Sequence, residues 1–93
     1  MSTRIDVRCE DVTDDGWRCT VVVDDGSAPT THEVTVSTTD LYHLAPGARQ
    51  PTDLVRRSFE FLLEREAKGS ILRRFELPLI GRYFPEYERT IRG

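Results

Sequence analysis

The alternation of apolar and polar residues predicts three strands in the first forty residues. From Arg4 to Glu10 apolar side chains alternate with charged ones, and similar alternation returns over Trp17–Val23 and His32–Ser37. A period of two places apolar side chains on one face of a strand, as in a half-buried sheet. The predicted inward positions are Ile5, Val7, Cys9, Trp17, Cys19, Val21, Val23, His32, Val34 and Val36.

Short polar segments join these strands. Asp14-Asp15-Gly16 is a turn signal in which glycine can adopt a positive φ, and the segment DDGSAPT, residues 24–30, is a polar loop. Three sequential strands joined in this way are typical of an antiparallel meander. The apolar face of such a sheet must be covered by another element of the chain.

The apolar spacing changes to a helical period between Pro51 and Lys68, which predicts the longest helix. Pro51 suits the first helical position, and Gly69 suits the end, since glycine adopts the left-handed conformation without a Cβ clash. We expect Phe59 and Leu62 to lie at the centre of the contact with the sheet. The predicted apolar stripe consists of Leu54, Val55, Phe59, Leu62 and Leu63.

Shorter helices are predicted on both sides of this helix. Residues 37–39 offer caps for one to two turns over 40–44, Ser70 offers a cap for a helix over 70–75, and Pro85 can open a last turn or two over 86–92. The predicted fold class is α+β with two layers, in which a three-stranded antiparallel meander packs on one long helix plus short C-terminal helices. Residues 1–93 are expected to form a single domain, with the meander over 1–37 and the helical part over 38–93.

The composition limits the location and the class of partner. Hydrophobic residues make up 38% of the chain and charged residues 31%, which is typical of a globular domain. No apolar run approaches the roughly 20 residues that span a bilayer, and the first residues lack the apolar region of a secretory signal. We therefore expect a cytoplasmic protein without a membrane partner.

The net charge of −3 is unevenly distributed. Residues 1–50 carry nine acidic and four basic side chains, whereas residues 51–93 carry seven acidic and nine basic ones. A protein that mainly holds phosphate backbones would carry a clear basic excess. Nucleic acid is therefore not the favoured partner.

The cysteines and histidines give no pattern typical of a catalytic or metal site. Cys9 and Cys19 are expected to be buried thiols, with a disulfide as the alternative if their strands pair in the right register. His32 and His43 do not have the spacing of a metal pair or a nucleophile–base pair. We expect no metal ion, no cofactor and no catalytic activity, and an enzyme that uses Cys9, His32 or His43 is the least favoured class.

The segment from Phe75 to Arg92 is rich in tyrosine, phenylalanine and arginine. Tyrosine and arginine carry much of the binding energy at protein interfaces. We expect Phe75 and Phe84 to close the core. The favoured function is that of a protein–protein interaction or accessory module, whose partner is another protein or a second copy of the chain. The hypothetical partner-binding residues are Arg82, Tyr83, Tyr87 and Arg89.

Two stretches resemble known families. SFEFLLEREAKGSILRRFELPLIGRYFPEYE, about a third of the chain, is similar to the C-terminal part of a family of small uncharacterised bacterial proteins, and this resemblance implies no particular activity. HEVTVSTTDLYHL followed by PTDLVRRSFEFLL resembles the ribbon-helix-helix pattern of small DNA-binding repressors. That resemblance implies a strand that pairs with its twin in a dimer and reads DNA through Glu33, Thr35 and Ser37. Phosphate contacts would then come from Arg56, Arg57, Arg73 and Arg74, which makes a DNA-binding regulator the alternative function.

Overall fold

A computed structural model of the chain describes residues 3–13 and 15–92 and has an α+β fold. The predicted turn residue Asp14 lies outside the described residues. A four-stranded sheet is covered on one face by helices. The elements are β1 (Arg4–Thr13), β2 (Gly16–Asp24), β3 (Thr30–Ser37), α1 (Thr38–Leu44), α2 (Thr52–Leu63), a 3-10 turn (Lys68–Ser70), β4 (Arg74–Glu76), α3 (Leu79–Tyr83) and α4 (Tyr87–Arg92).

The sheet has the order β1-β2-β3-β4, and its first three strands form the predicted antiparallel meander. The fourth strand was not predicted, and it runs parallel to β3. It lies in the part of the chain that was expected to be helical, so the prediction of a helix over 70–75 was wrong. This segment is a strand because it pairs with a part of the chain that is distant in sequence. The Glu33 N–H donates to the Arg73 carbonyl at 2.8 Å, and the Leu77 N–H donates to the Thr35 carbonyl at 3.0 Å.

Gly16 begins β2 for a reason other than the predicted positive φ. The backbone of Gly16 is not in the left-handed region, which among the described glycines is occupied by Gly26 and Gly47. A Cβ atom at position 16 would lie 2.5 Å from the carbonyl oxygen of Val36 on the neighbouring strand. Glycine is therefore required here by the close approach of two strands.

The main helix is shorter than predicted, since α2 ends at Leu63 and not at Lys68. Arg65 closes the end of the helix, because its Nη1 donates to the Phe61 carbonyl at 3.0 Å and its guanidinium lies 3.6 Å from the centre of the Phe61 ring. Lys68 lies outside the helix and contacts the loop between β2 and β3, where its Nζ donates to Asp25 Oδ1 at 2.7 Å. That bond holds the pKa of Asp25 well below its usual range. The expected stop at Gly69 was wrong, because this residue lies inside the 3-10 turn.

The core contains the contact predicted for the long helix. Phe59 is 0% exposed and Leu62 is 4% exposed, so both are buried. The Phe59 ring lies 5.3 Å from that of His32 and 6.1 Å from that of Phe75. Phe61, which was not predicted to be buried, faces the C-terminal segment and is also in the core.

The two cysteines form a disulfide, so the expectation of two buried free thiols was wrong. The antiparallel register of β1 and β2 places Cys9 directly opposite Cys19, with Cα atoms 4.0 Å apart. This geometry is the alternative that the sequence left open. The bond ties the edge strand β1 to the interior strand β2.

Candidate functional site

An apolar groove with a volume of about 360 Å³ lies among the C-terminal half of α2, the segment before β4, and α3. Apolar side chains form most of its wall, and the helices and the short strand hold them in place. The lining residues are Leu62, Glu66, Ser70, Ile71, Leu72, Phe75, Leu79, Ile80, Tyr83 and Phe84.

A buried histidine fixes the segment that forms one wall of the groove. The Nδ1–H of His32 donates to the Leu72 carbonyl at 2.8 Å, since that oxygen can only accept, and its Nε2 then accepts from the Thr30 hydroxyl at 2.9 Å. Burial lowers the pKa of His32, so the imidazole is neutral at pH 7. His32, which the sequence placed on the inward face of its strand, therefore anchors the groove from inside the core.

The rim of the groove exposes large apolar side chains to solvent. Leu72 is 47% exposed and Tyr83 is 67% exposed. Of the four large apolar side chains that the described residues expose, these two both line this groove. An exposed apolar patch that continues into a concave surface is typical of a site that binds another molecule.

Among the described residues, the strand beside the groove, β4, pairs with another strand on one side only. On either side of β4, the Arg73 carbonyl and the Leu77 N–H bond to β3. Because successive residues of a strand direct their N–H and C=O groups to opposite sides, those of Arg74 and Glu76 face away from the sheet. The edge strand therefore offers hydrogen-bonding groups to an additional strand at the side of the groove.

Two arginines are placed next to the exposed rim residues in the chain. Arg73 follows Leu72 and Arg82 precedes Tyr83, and both arginines are exposed. Within the described residues, neither has an acidic side chain at ion-pair distance, whereas Arg74 pairs with Glu33 at 3.2 Å. Glu66 contributes one acidic group to the lining. The surroundings of the groove therefore contain free positive charge together with one carboxylate.

The predicted partner-binding residues separate into two groups. Arg82, Tyr83 and Arg89 are exposed, whereas Tyr87 is only 1% exposed. The expectation that Tyr87 belongs to an exposed surface was wrong, because its hydroxyl lies 2.7 Å from Ser58 Oγ and its ring packs edge-on against Phe61 at 5.3 Å. Only Tyr83 of these four residues lines the groove.

Tyr87 makes the stability of the protein dependent on pH in alkaline solution. Burial raises the pKa of Tyr87 to about 12, from 10.0 for the unfolded side chain. The phenol therefore contributes stability that is complete below pH 10 and is lost as the pH rises towards 12. We expect the free energy of unfolding to fall by up to about 1.4 kcal/mol per pH unit in this window, measured by urea titration.

The matched control is Tyr87→Phe, which has no ionisable hydroxyl. Below pH 10 this variant should be about 1 kcal/mol less stable than the natural chain, because the buried hydrogen bond to Ser58 is lost. Its stability should then fall less steeply above pH 10. Parallel curves for the two proteins over pH 9 to 11.5 would contradict the assignment of this titration to Tyr87.

Several residues of the DNA-binding alternative make contacts within the chain. Ser37 caps α1, where its Oγ accepts from the Asp40 N–H at 2.9 Å, and Thr35 lies in a strand with neighbours on both sides. Arg57 Nη1 donates to the Ile91 carbonyl at 3.1 Å, and Arg56 Nε lies 3.5 Å from the Ile5 carbonyl. With β2 and β4 on either side, β3 has no free edge over residues 33–35 for a twin strand.

The groups that an enzyme could use are engaged elsewhere. Cys9 is in the disulfide, His32 is hydrogen-bonded in the core, and His43 pairs with Glu88 at the surface at 2.9 Å. Over residues 3–13 and 15–92, no group of three or more His, Cys, Asp or Glu side chains is arranged to hold a metal ion. The groove is therefore the feature of the described residues that most favours a binding function.

No family model matches the chain, and neither a curated protein nor a solved structure gives a significant match. These comparisons do not test the resemblance to small bacterial proteins or to ribbon-helix-helix repressors, so both stay predictions. The groove is therefore interpreted from its own chemistry.

Most residues of the groove are not among the predicted site residues, because the sequence pattern after Ser70 favours a helix, which would not form this wall. A short signal for the strand was present, since the buried Phe75 and Leu77 alternate with the exposed Arg74 and Glu76. A strand in this segment leaves Leu72 on the exposed side. The sequence did not indicate that Leu79 and Ile80 complete the opposite wall.

Proposed function

We propose that this protein is an interaction module without catalytic activity that binds an extended segment of a partner protein. The segment adds a strand to the free edge of β4 and places one large apolar side chain in the groove. The observation that carries this proposal is the apolar groove of about 360 Å³ directly beside an unpaired strand edge. No cofactor is needed for this mode of binding.

The two parts of the site would contribute differently to binding. Main-chain hydrogen bonds to Arg74 and Glu76 accept any sequence that can be extended, whereas the groove selects the side chain that enters it. Full burial of a leucine- or phenylalanine-sized side chain is worth about 1.5–3 kcal/mol. Tyr83 and Leu72 would close over that side chain from the rim.

The charges near the groove favour an acidic segment. Arg73 and Arg82 are exposed and free of ion pairs within the described part of the chain. Acidic side chains on either side of the apolar side chain that enters the groove would form ion pairs with these arginines. Glu66 on the groove wall disfavours a second acidic group at the anchor position itself.

The cytoplasmic location remains part of this proposal. No helix among the described residues is long and apolar enough to cross a bilayer. Disulfides are rare in the cytoplasm, so a cytoplasmic form of the protein would carry Cys9 and Cys19 as thiols.

The proposal is tested by selecting peptides from a displayed random library against the purified protein. We expect the selected peptides to share one large apolar residue flanked by acidic residues. Tyr83→Ala should weaken the binding of a selected peptide by about 5- to 30-fold, as measured by fluorescence anisotropy, because an interface tyrosine contributes about 1–2 kcal/mol. The amide NMR signals of Arg74 and Glu76 should shift when the peptide binds.

Tyr42→Ala is the matched control, since Tyr42 is a 77% exposed tyrosine on another short helix, α1, and does not line the groove. Equal affinities of the Tyr83→Ala and Tyr42→Ala proteins would show that the peptide binds elsewhere. A peptide that binds with unchanged amide signals of β4 would contradict strand addition.

A further inference from the structure

The free edge of β1 is a second surface, at the opposite side of the sheet from the groove. Along its outer face the exposed side chains alternate in sign, in the order Arg4, Asp6, Arg8 and Glu10. Its inner face is incompletely covered, because Ile5, Val7 and Cys9 are half-buried whereas the strand next to it is fully buried at Cys19, Val21 and Val23.

Hydrogen bonds at the other side of the sheet determine which backbone groups of β2 face β1. The Glu33 N–H donates to the Arg73 carbonyl, just before β4, so the backbone groups of the next residue, Val34, face β2. Val34 lies opposite Cys19. The backbone groups of Cys19 are therefore directed to β3 and away from β1.

The direction of the Cys19 backbone groups shows which N–H and C=O groups of β1 point to the free edge. Cys9 lies opposite Cys19 in a pair without backbone hydrogen bonds, which agrees with their Cα separation of 4.0 Å. The N–H and C=O groups of Cys9 therefore point to the free edge, and by alternation so do those of Val7 and Ile5. The edge thus offers three successive residues for pairing with another strand.

We propose that the partner of this edge is β1 of a second copy of the chain, paired antiparallel about Val7. In this register Val7 lies opposite Val7 of the second copy, and Ile5 lies opposite Cys9, so the outward backbone groups of both strands are satisfied. On the outer face Arg4 lies opposite Glu10, and Asp6 lies opposite Arg8. Every charged position from 4 to 10 therefore faces the opposite charge.

The charge pattern selects this register over its neighbours. A shift that places Ile5 opposite Val7 would put Asp6 against Asp6 and Arg4 against Arg8. The opposite shift would put Arg8 against Arg8 and Asp6 against Glu10. Like charges directly opposite each other destabilise a strand pair, so both shifted registers are disfavoured. Arg8, which forms no ion pair within the described residues, gains an acidic partner in the proposed register.

Arg56 is the side chain that must move for the second copy to dock. Its Nε lies 3.5 Å from the Ile5 carbonyl, a long hydrogen bond that the N–H of Cys9 in the second copy would replace. A cavity of about 460 Å³ lies over β1 and β2 next to this edge. Its lining residues are Asp6, Val7, Arg8, Thr20, Val22 and Arg56.

The dimer should be weak, because the interface is little more than one strand wide. Stable interfaces bury about 1,200–2,000 Å² in total, and a single strand pair buries less. We expect a dissociation constant on the order of 1–100 μM for the full chain, measured by sedimentation equilibrium. The natural chain is the reference for all variants.

Charge reversals test the register. Asp6→Arg and Arg8→Asp should each raise the dissociation constant about ten-fold or more, because each creates two like-charge pairs across the two-fold axis. The double variant Asp6→Arg/Arg8→Asp should restore self-association. A mixture of the two single variants should form the heterodimer, since all its pairs at positions 6 and 8 are then opposite in sign.

Glu88→Arg on α4 is the control, because it makes the same change of charge as Asp6→Arg at an exposed site on a helix that packs on α1, α2 and α3, and it should leave self-association unchanged. Circular dichroism should show that the single variants keep their fold, as Arg4, Asp6 and Arg8 are all exposed. A natural chain that stays monomeric at about 500 μM, well above the expected constant, would overturn the proposal. Single variants that associate as the natural chain does, or a mixture that does not form the heterodimer, would overturn it as well.

Discussion

Changing Phe59 to alanine is expected to lower the free energy of unfolding by about 3–5 kcal/mol. The ring is 0% exposed and lies between the rings of His32 and Phe75, so it joins α2 to both β3 and β4. Removal of the ring leaves a cavity that the surrounding strands cannot fill by collapse. Since a domain of this size has a stability near the low end of about 5–15 kcal/mol, the variant should be partly unfolded at room temperature.

The loss is measured by urea titration of the natural and variant proteins, followed by circular dichroism. Tyr42→Ala is the control, because Tyr42 is 77% exposed and its loss should change the stability by no more than about 0.5 kcal/mol. Phe59→Leu, which keeps part of the apolar volume, should fall between the two. A loss below about 1 kcal/mol for Phe59→Ala would mean that this ring does not carry the contact between the layers.

Reduction of the Cys9–Cys19 bond is expected to lower the free energy of unfolding by about 2–3 kcal/mol. The two cysteines are separated by 10 positions in the chain. A disulfide that closes a 15-residue loop stabilises a protein by about 3 kcal/mol, because it lowers the entropy of the unfolded chain, and the effect of this slightly shorter loop should be nearly as large. The effect falls on an edge strand, because β1 has only β2 as a neighbour in the sheet. Urea titration with and without a phosphine reductant measures the difference.

The double variant Cys9→Ala/Cys19→Ala separates this effect from other actions of the reductant. Its unfolding midpoint should be the same with and without the phosphine, since it has no bond to reduce. An unchanged midpoint for the natural chain, together with free thiols detected after reduction, would contradict a stabilising role of the bond. Two free thiols that persist after air oxidation of the purified protein would contradict the bond itself.

The local patterns predicted the meander and the face of the main helix well. Period-two alternation depends only on the pleat of a strand, and Val21 and Val34 are both 0% exposed as predicted. The helical spacing identified Phe59 and Leu62 as buried, because it too depends only on the local geometry of the backbone. The end of the helix was less well predicted, because Arg65 folds back on Phe61 and Lys68 bonds the distant Asp25.

The candidate site was predicted only in part. Tyr83 was identified from the density of tyrosine and arginine near it, and it lies on the rim of the groove. Tyr87 has the same composition around it and yet is buried, because Ser58 on α2 provides a partner for its hydroxyl. Composition indicates which side chains suit an interface, whereas the packing of α4 on α2 decides which of them remain exposed.

By itself, the sequence determined the elements whose signal is local: three alternating strands, one amphipathic helix and the short helices α1 and α4. Only the tertiary structure decided that Arg74–Glu76 is a strand, that Cys9 meets Cys19 and that an apolar groove lies beside β4. The physical reason is the same in each case. Backbone groups of β3, the register of β1 on β2, and the walls from α2 and α3 belong to residues far apart in the chain, and no local spacing specifies how they meet.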